Sequence, residues 1–154
     1  MTKKELIKLM VEHGYNSKKA KSMINSYKEI LAFTYMSVYN PNGKKSKSHC
    51  NYKKAFDNAY LDYGLYIFYE KDNNEILYIG EAAEEEFKDR LSQHFNESDG
   101  GLRKKLSSKP DFLYKLENSE VLILYGKHNK NDSRSTHFDE DLLIGLFRPV
   151  FNDR

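Results

Sequence analysis

Residues 63–81, YGLYIFYEKDNNEILYIGE, decide the fold. Two apolar, tyrosine-rich runs flank a polar break, the pattern of a β-hairpin. Side chains alternate between the two faces of a strand. Tyr66 and Phe68 therefore share one face of the first strand, with Leu65, Ile67 and Tyr69 on the other. Ile76 and Tyr78 share a face of the second. If residue 66 stands opposite 78, the two phenols lie side by side. An odd-length connection such as 70–74 sets that register; a four-residue connection does not. Gly64 and Gly80 mark points where another group approaches the backbone.

Downstream of the hairpin, FKDRLSQHF at 87–95 reads as a helix, and GGLRKKLSS at 100–108 starts another. SEVLILYG at 119–126 is a strand, closed by Gly126. GKHNKNDSRST at 126–136 is a polar loop. HFDEDLLIGLF at 137–147 is a helix stopped by Pro149. This order predicts an α+β fold, a small three-stranded sheet flanked by helices.

Upstream, Thr2 and Glu5 form a capping box, followed by Leu6, Ile7, Met10 and Val11 at helical spacing, with Gly14 as the stop. Ser17 is placed to cap a second helix, with Met23, Ile24, Tyr27, Ile30 and Leu31 on one face. Helix, short turn, helix is the outline of a DNA-reading element and of any helical hairpin. NPNGKKSKSHCNYKK at 40–54 is a lysine-rich loop: a phosphate grip or a solvated linker. The expected division is a basic helical region at 1–60 and a second domain at 61–154.

The 154 residues suffice for one domain with a core and a small appendage. Composition is 39% hydrophobic and 31% charged, which excludes a disordered chain. No apolar run approaches a membrane span, and the N-terminus lacks a secretion signal. The single cysteine, Cys50, makes no internal disulfide, and no second cysteine follows at a zinc spacing, so a cytoplasmic setting is expected. The net charge of +2 hides a division. Residues 1–63 hold 12 Lys against 5 Asp/Glu, net +7, and the remainder 13 basic against 18 acidic, net −5. A basic face that meets nucleic acid is the first reading; a solvated helical surface is the plainer one.

Chemistry enters with three constellations. The hairpin tyrosines are the first. Arg90 and His94, four apart on one helix face, pair a forked donor with a proton-carrying ring and suit a phosphate. Alone, that pair reads more simply as two surface residues. On the last helix Glu140 projects between Ile144 and Phe147, and Asp139 between Leu143 and Leu146. A carboxylate on such a flank is costly unless a metal or an arginine pairs with it. Spacing does not choose between the two.

Taken together, GLY at 64–66 and YIG at 78–80 resemble the paired motifs of the GIY-YIG nuclease family, with Leu65 in place of the usual isoleucine. Arg90 with His94 resembles the family's Arg-x-x-x-His. EDLLI at 140–144 and PVFN at 149–152 resemble its closing Glu-x-x-Leu-Ile and Pro-x-x-Asn. The likeness spans residues 63–153. It implies Glu140 rather than Asp139 as ligand of one Mg²⁺ or Mn²⁺. It also implies Tyr66 as base or orienter of the attacking water, and Tyr78 as its hydrogen-bonding neighbour. Arg90 would hold the scissile phosphate, His94 would assist with phosphate or proton, and Asn152 would brace the site. The implied activity is metal-dependent hydrolysis of phosphodiester bonds in double-stranded DNA, by a monomer or a homodimer. A nucleic-acid-binding module with this fold and little cleavage is the alternative. Lys44, Lys45, Lys47, Lys53, Lys54 and Lys127 are the candidate DNA contacts. The chain stops two residues after Asn152, which suggests a compact nuclease of restriction or phage type.

Two departures stand out. Glu81 follows YIG where the family often has lysine, and EAAEEEF places acid beside the expected groove. The spacing from Gly80 to Arg90 is also slightly long. A free tyrosine is a poor base at neutral pH. Either a cation such as Arg90, Lys71, Lys88 or Lys127 lowers the Tyr66 pKa, or water loses its proton as attack proceeds.

Overall fold

In the computed structural model the hairpin is formed by β2 (Tyr63–Glu70) and β3 (Ile76–Ala82). The structure describes residues 1–28, 30–35, 62–95, 106, 109–119, 121–129 and 133–152. The loop 40–54, with its five lysines and Cys50, lies outside them, as does the segment 100–108 apart from Leu106. Asn74 turns the chain in the left-handed region, φ 55°, and the Asn73 side chain accepts from the Glu75 amide at 2.9 Å. Asparagine tolerates the left-handed region best after glycine, and its short side chain can accept from an amide two residues on. The register shifts between Phe68 and Tyr69, so the strand bulges there.

Around the hairpin the elements are α1 (Lys3–Glu12), α2 (Ser17–Asn25), β1 (Ile30–Tyr35), α3 (Phe87–Phe95), α4 (Pro110–Asn118), β4 (Val121–His128) and α5 (Ser133–Phe147). The expected α+β architecture is present. The sheet has four antiparallel strands in the order β1-β4-β2-β3. Its fourth strand corrects the reading of Ile30 and Leu31 as helical. The run ILAFTY pairs with β4 from Ile30↔Gly126 to Tyr35↔Val121. A β-branched and aromatic run that meets an unpaired strand edge satisfies its backbone there, and that outweighs a chance helical spacing.

Local signals explain the other boundaries. The capping box of Thr2 and Glu5 forms as expected, and Gly14 ends α1 at φ 91°. Asn16, not Ser17, caps α2, accepting from the Lys19 amide at 3.0 Å. Helix α4 was not anticipated. Its start is nonetheless encoded, with Pro110 in the first turn and Asp111 at the positive end of the helix dipole. Strand β4 runs past Gly126 to His128, and α5 begins at Ser133, inside the stretch read as loop.

Alternation along β2 and β4 divides the core. Tyr66, Phe68, Val121, Ile123 and Tyr125 pack with Phe87 of α3 and Phe112 of α4. Leu65, Ile67, Tyr69, Leu122 and Leu124 pack with Leu6 and Met10 of α1, Ala20 and Ile24 of α2, and Leu143 and Ile144 of α5. The N-terminal helices thus share a core with the sheet. Gly64 sits at φ 151°, and a Cβ there would lie 1.9 Å from the Gly126 carbonyl oxygen. Only glycine lets β2 and β4 approach so closely. Lys115 of α4 donates to Glu70 at 2.6 Å and lies 3.4 Å from Glu75, tying that helix to the hairpin.

Candidate active site

Tyr66 is the centre of the site and is fully buried. The observed register pairs Tyr66 with Gly80 and Phe68 with Tyr78, so Tyr66 and Tyr78 are diagonal neighbours rather than opposite one another. They do share a face, with ring centroids 6.2 Å apart and planes inclined by 29°. The turn closes with the Glu70 amide donating to the Glu75 carbonyl, a four-residue connection that shifts the register by one residue from the expected one. The bulge at Phe68/Tyr69 shifts it by a second, which returns the two tyrosines to one face. Gly80 is what admits the ring. A Cβ at that position would lie 2.4 Å from the Tyr66 hydroxyl.

Helix α3 brings His94 onto this ring. Its Nε2 is 2.6 Å from the Tyr66 hydroxyl, and its ring meets Tyr78 edge-on with centroids 5.0 Å apart. Arg90, one turn earlier on the helix, is also buried. Its Nε donates to the Glu81 carbonyl at 3.0 Å. One terminal nitrogen donates to Gln93 at 2.9 Å and to Glu85 at 3.4 Å. Part of the acid of EAAEEEF is therefore spent on orienting the arginine.

Burial, above all, pushes the Tyr66 phenol well above its ordinary pKa. Tyr78 and Glu140 push the same way, and Arg90 opposes them. The cation sought in the sequence is Arg90, yet burial outweighs it, so Tyr66 is a neutral phenol at neutral pH. For Arg90, burial favours the neutral form, but the neighbouring Tyr66, Tyr78 and Glu85 raise its pKa, so it keeps its charge.

Glu140 is 6% exposed on α5. His137 lies one turn before it, and Glu81 reaches the same place from β3, where its carboxylate meets His137 Nδ1. Among the described residues, donor atoms of Glu81, His137 and Glu140 lie within 4.8 Å of one another. Two carboxylates and an imidazole at that spacing fit a divalent cation. Asp139 points elsewhere, accepting a 2.8 Å hydrogen bond from the Tyr27 hydroxyl. Asn152 holds the outer edge of β3. It accepts from the Ile79 amide at 2.9 Å and donates to the Ile79 carbonyl at 2.8 Å, between Tyr78 and Gly80.

Of the sequence-predicted site residues, Tyr66, Tyr78, Arg90 and His94 form one contact group, with Asn152 braced behind it. Glu140 is close enough to influence Tyr66 from the other side of β3. Lys127 pairs with Asp62 at 3.0 Å, while Lys44, Lys45, Lys47, Lys53 and Lys54 lie outside the described residues. Sequence reading missed Glu81 and His137 as site residues. The i,i+3 spacing of His137 and Glu140 was a usable signal; Glu81 was read only as a departure.

A family model described as the GIY-YIG catalytic domain matches residues 62–149. No curated protein and no solved structure matches the chain.

Proposed function

The chain belongs to the GIY-YIG nuclease family, and from that premise we propose that it is a divalent-metal-dependent endonuclease that hydrolyses phosphodiester bonds in double-stranded DNA. The reading rests on one observation above the others. The Tyr66 hydroxyl touches His94, whose ring also meets Tyr78, and the buried Arg90 lies one turn before His94 on the same helix.

Phosphodiester cleavage needs an activated water, neutralisation of the negative charge that builds on the phosphate oxygens, and help for the departing oxygen. Tyr66 orients the water. Its raised pKa argues against a standing phenolate. The water's proton instead passes to the Tyr66 oxygen as the phenol's own proton moves to His94 Nε2, in step with attack. The new P–O bond forms as the leaving P–O bond breaks. Arg90 exchanges its Glu85 contact for the phosphate, to which a guanidinium presents two parallel donors. Tyr78 packs against His94 and fixes its plane, and Asn152 keeps the backbone between Tyr78 and Gly80 in place. A divalent ion at Glu140, when bound, supplies positive charge for the phosphate and the leaving oxygen.

The basic region 1–60 would serve as the DNA-binding element, in a cytoplasmic enzyme of restriction or phage type. Among the described residues no helix is long and apolar enough to cross a membrane. With one site per chain, a double-strand break takes a homodimer or two successive nicks. A binding module with little cleavage is the second reading. It draws on the engagement of Arg90 by Glu85 and Gln93, which a phosphate must displace.

Supercoiled plasmid incubated with the protein and Mg²⁺ or Mn²⁺ tests the proposal. Nicking that is lost in Glu140→Ala and kept in Asp139→Ala is the expected result. Absence of cleavage with every divalent ion, alongside a salt-sensitive gel shift, leaves the binding module. Sequenced ends distinguish a restriction-type enzyme, with discrete ends, from a degradative one.

A further inference from the structure

We propose that Glu81 and His137 join Glu140 as ligands of the divalent ion, making a Glu–His–Glu pocket that takes Mn²⁺ in preference to Mg²⁺. This deepens the nuclease reading above and rests on it.

The three donors come from two elements. His137 and Glu140 are three apart on α5, so both project from one side of that helix. Glu81 stands opposite Leu65 in the hairpin, on the sheet face that packs against α5. Its carbonyl accepts from Arg90, so its backbone is fixed from the phosphate-binding side while its side chain joins the α5 pair. One residue thus connects the group that would hold the phosphate with the group that would hold the metal.

Electrostatics favours a cation here. The side chain of Glu81 is 12% exposed, and Glu140 is 6% exposed. Two carboxylates drawn this close and largely out of water repel one another unless positive charge lies between them. His137, with its side chain 51% exposed, closes the pocket on the solvent side and leaves the ion open to water. A lone carboxylate would leave the ion mostly hydrated, which suits Mg²⁺. An imidazole nitrogen in the set shifts relative affinity toward Mn²⁺ and later transition metals. Glu81, a departure from the lysine often found after YIG, then has a use.

The test is Mn²⁺ binding to the full chain without DNA. Free Mn²⁺ is followed by electron paramagnetic resonance, and bound Mn²⁺ is examined for electron spin echo modulation from ¹⁴N. Wild type should show nitrogen coupling that disappears in His137→Ala. His137→Ala and Glu81→Gln should each weaken Mn²⁺ binding by at least about tenfold, the scale on which even outer partners of a metal act. His137→Ala should weaken Mn²⁺ more than Mg²⁺, measured by competition. His137 is half exposed on a helix, so its alanine variant should keep the wild-type melting curve. Bound Mn²⁺ without nitrogen coupling, with affinity lost only in Glu140→Gln, would sink the three-ligand pocket. Glu81 and His137 would then be a hydrogen-bonded pair, and the nuclease reading would stand. Absence of Mn²⁺ binding to wild type, together with absence of metal-dependent nicking, would remove both.

Discussion

Tyr66 lies directly across the sheet from Gly80, so close that a single methyl group at 80 would sit 2.4 Å from the phenolic oxygen. The ring cannot easily give way, because it is fully buried and its hydroxyl is held by His94. Gly80→Ala should therefore overpack the site, at about 1–3 kcal/mol of stability, and displace Tyr66 from His94. Thermal melting should fall and nicking should be lost. Wild-type nicking by a folded Gly80→Ala protein would show that the ring position does not matter.

Removing only the hydroxyl separates chemistry from packing. Tyr66→Phe keeps the ring beside Tyr78, Phe68 and Phe87. It should leave the fold intact and lower the nicking rate by about 10²–10⁴-fold, the usual weight of general acid–base help. Single-turnover cleavage with saturating protein measures this directly. A rate within a few-fold of wild type would remove Tyr66 from the proton path.

Neighbouring carboxylates on α5 should behave differently. Glu140→Gln should lower cleavage by at least about 10²-fold. Asp139→Asn should leave cleavage near wild type, since Asp139 serves Tyr27. Burial, chiefly, raises the Asp139 pKa, against the pull of Tyr27 and His128. A raised carboxyl favours the protonated fold, so the charged form costs stability at neutral pH, and the cost is relieved as pH falls through the folded pKa. The asparagine keeps an acceptor for Tyr27 without the charge. Chemical denaturation at neutral pH should find Asp139→Asn at least as stable as wild type.

Asn152 closes both hydrogen-bonding groups of Ile79. Asn152→Ala leaves an amide and a carbonyl at the edge of β3 to find other partners. The loss should be about 1–3 kcal/mol in denaturant unfolding, with a fall in kcat larger than any rise in KM, because Tyr78 and Gly80 flank the freed peptide. A pure KM effect would argue that Asn152 contacts substrate instead.

Alkaline pH should unfold the protein through its phenols. Burial, first of all, raises the pKa of Tyr66 and Tyr27, and that of Tyr69 to about 12. Unfolded tyrosine ionises near pH 10 (about, for a free side chain). Between that value and the folded pKa, the native chain holds protons that the unfolded chain releases, so stability falls as pH rises. Below about pH 10 this contribution is fully present. Tyr69→Phe should flatten the loss of melting temperature across that window, and an unchanged slope would count against a buried neutral Tyr69.

The hairpin, the helix carrying Arg90 and His94, and the helix carrying Glu140 were legible because each is written in local periodicity, as the capping box of α1 is. The motif order then identified the family. What local pattern misread is equally specific. Ile30 and Leu31 fitted a helical face, and only the free edge of β4 made them a strand. An odd-length turn would set the tyrosines opposite one another; the four-residue turn and the bulge beyond it together make them diagonal on one face. Glu81 read as an intrusion of acid, until the packing of α5 against β3 set His137 and Glu140 beside it.

By itself the sequence determined the side-chain periods, the caps and the order of the motif residues, since these depend on neighbours a few positions apart. Only the tertiary structure decided the register of β2 on β3, the fourth strand, the burial that keeps Tyr66 a neutral phenol, and the meeting of Glu81 with His137 and Glu140. Each of these depends on segments distant in sequence. Pairing between such segments is set by which backbone edges and apolar faces remain to be covered, and no local window contains that information.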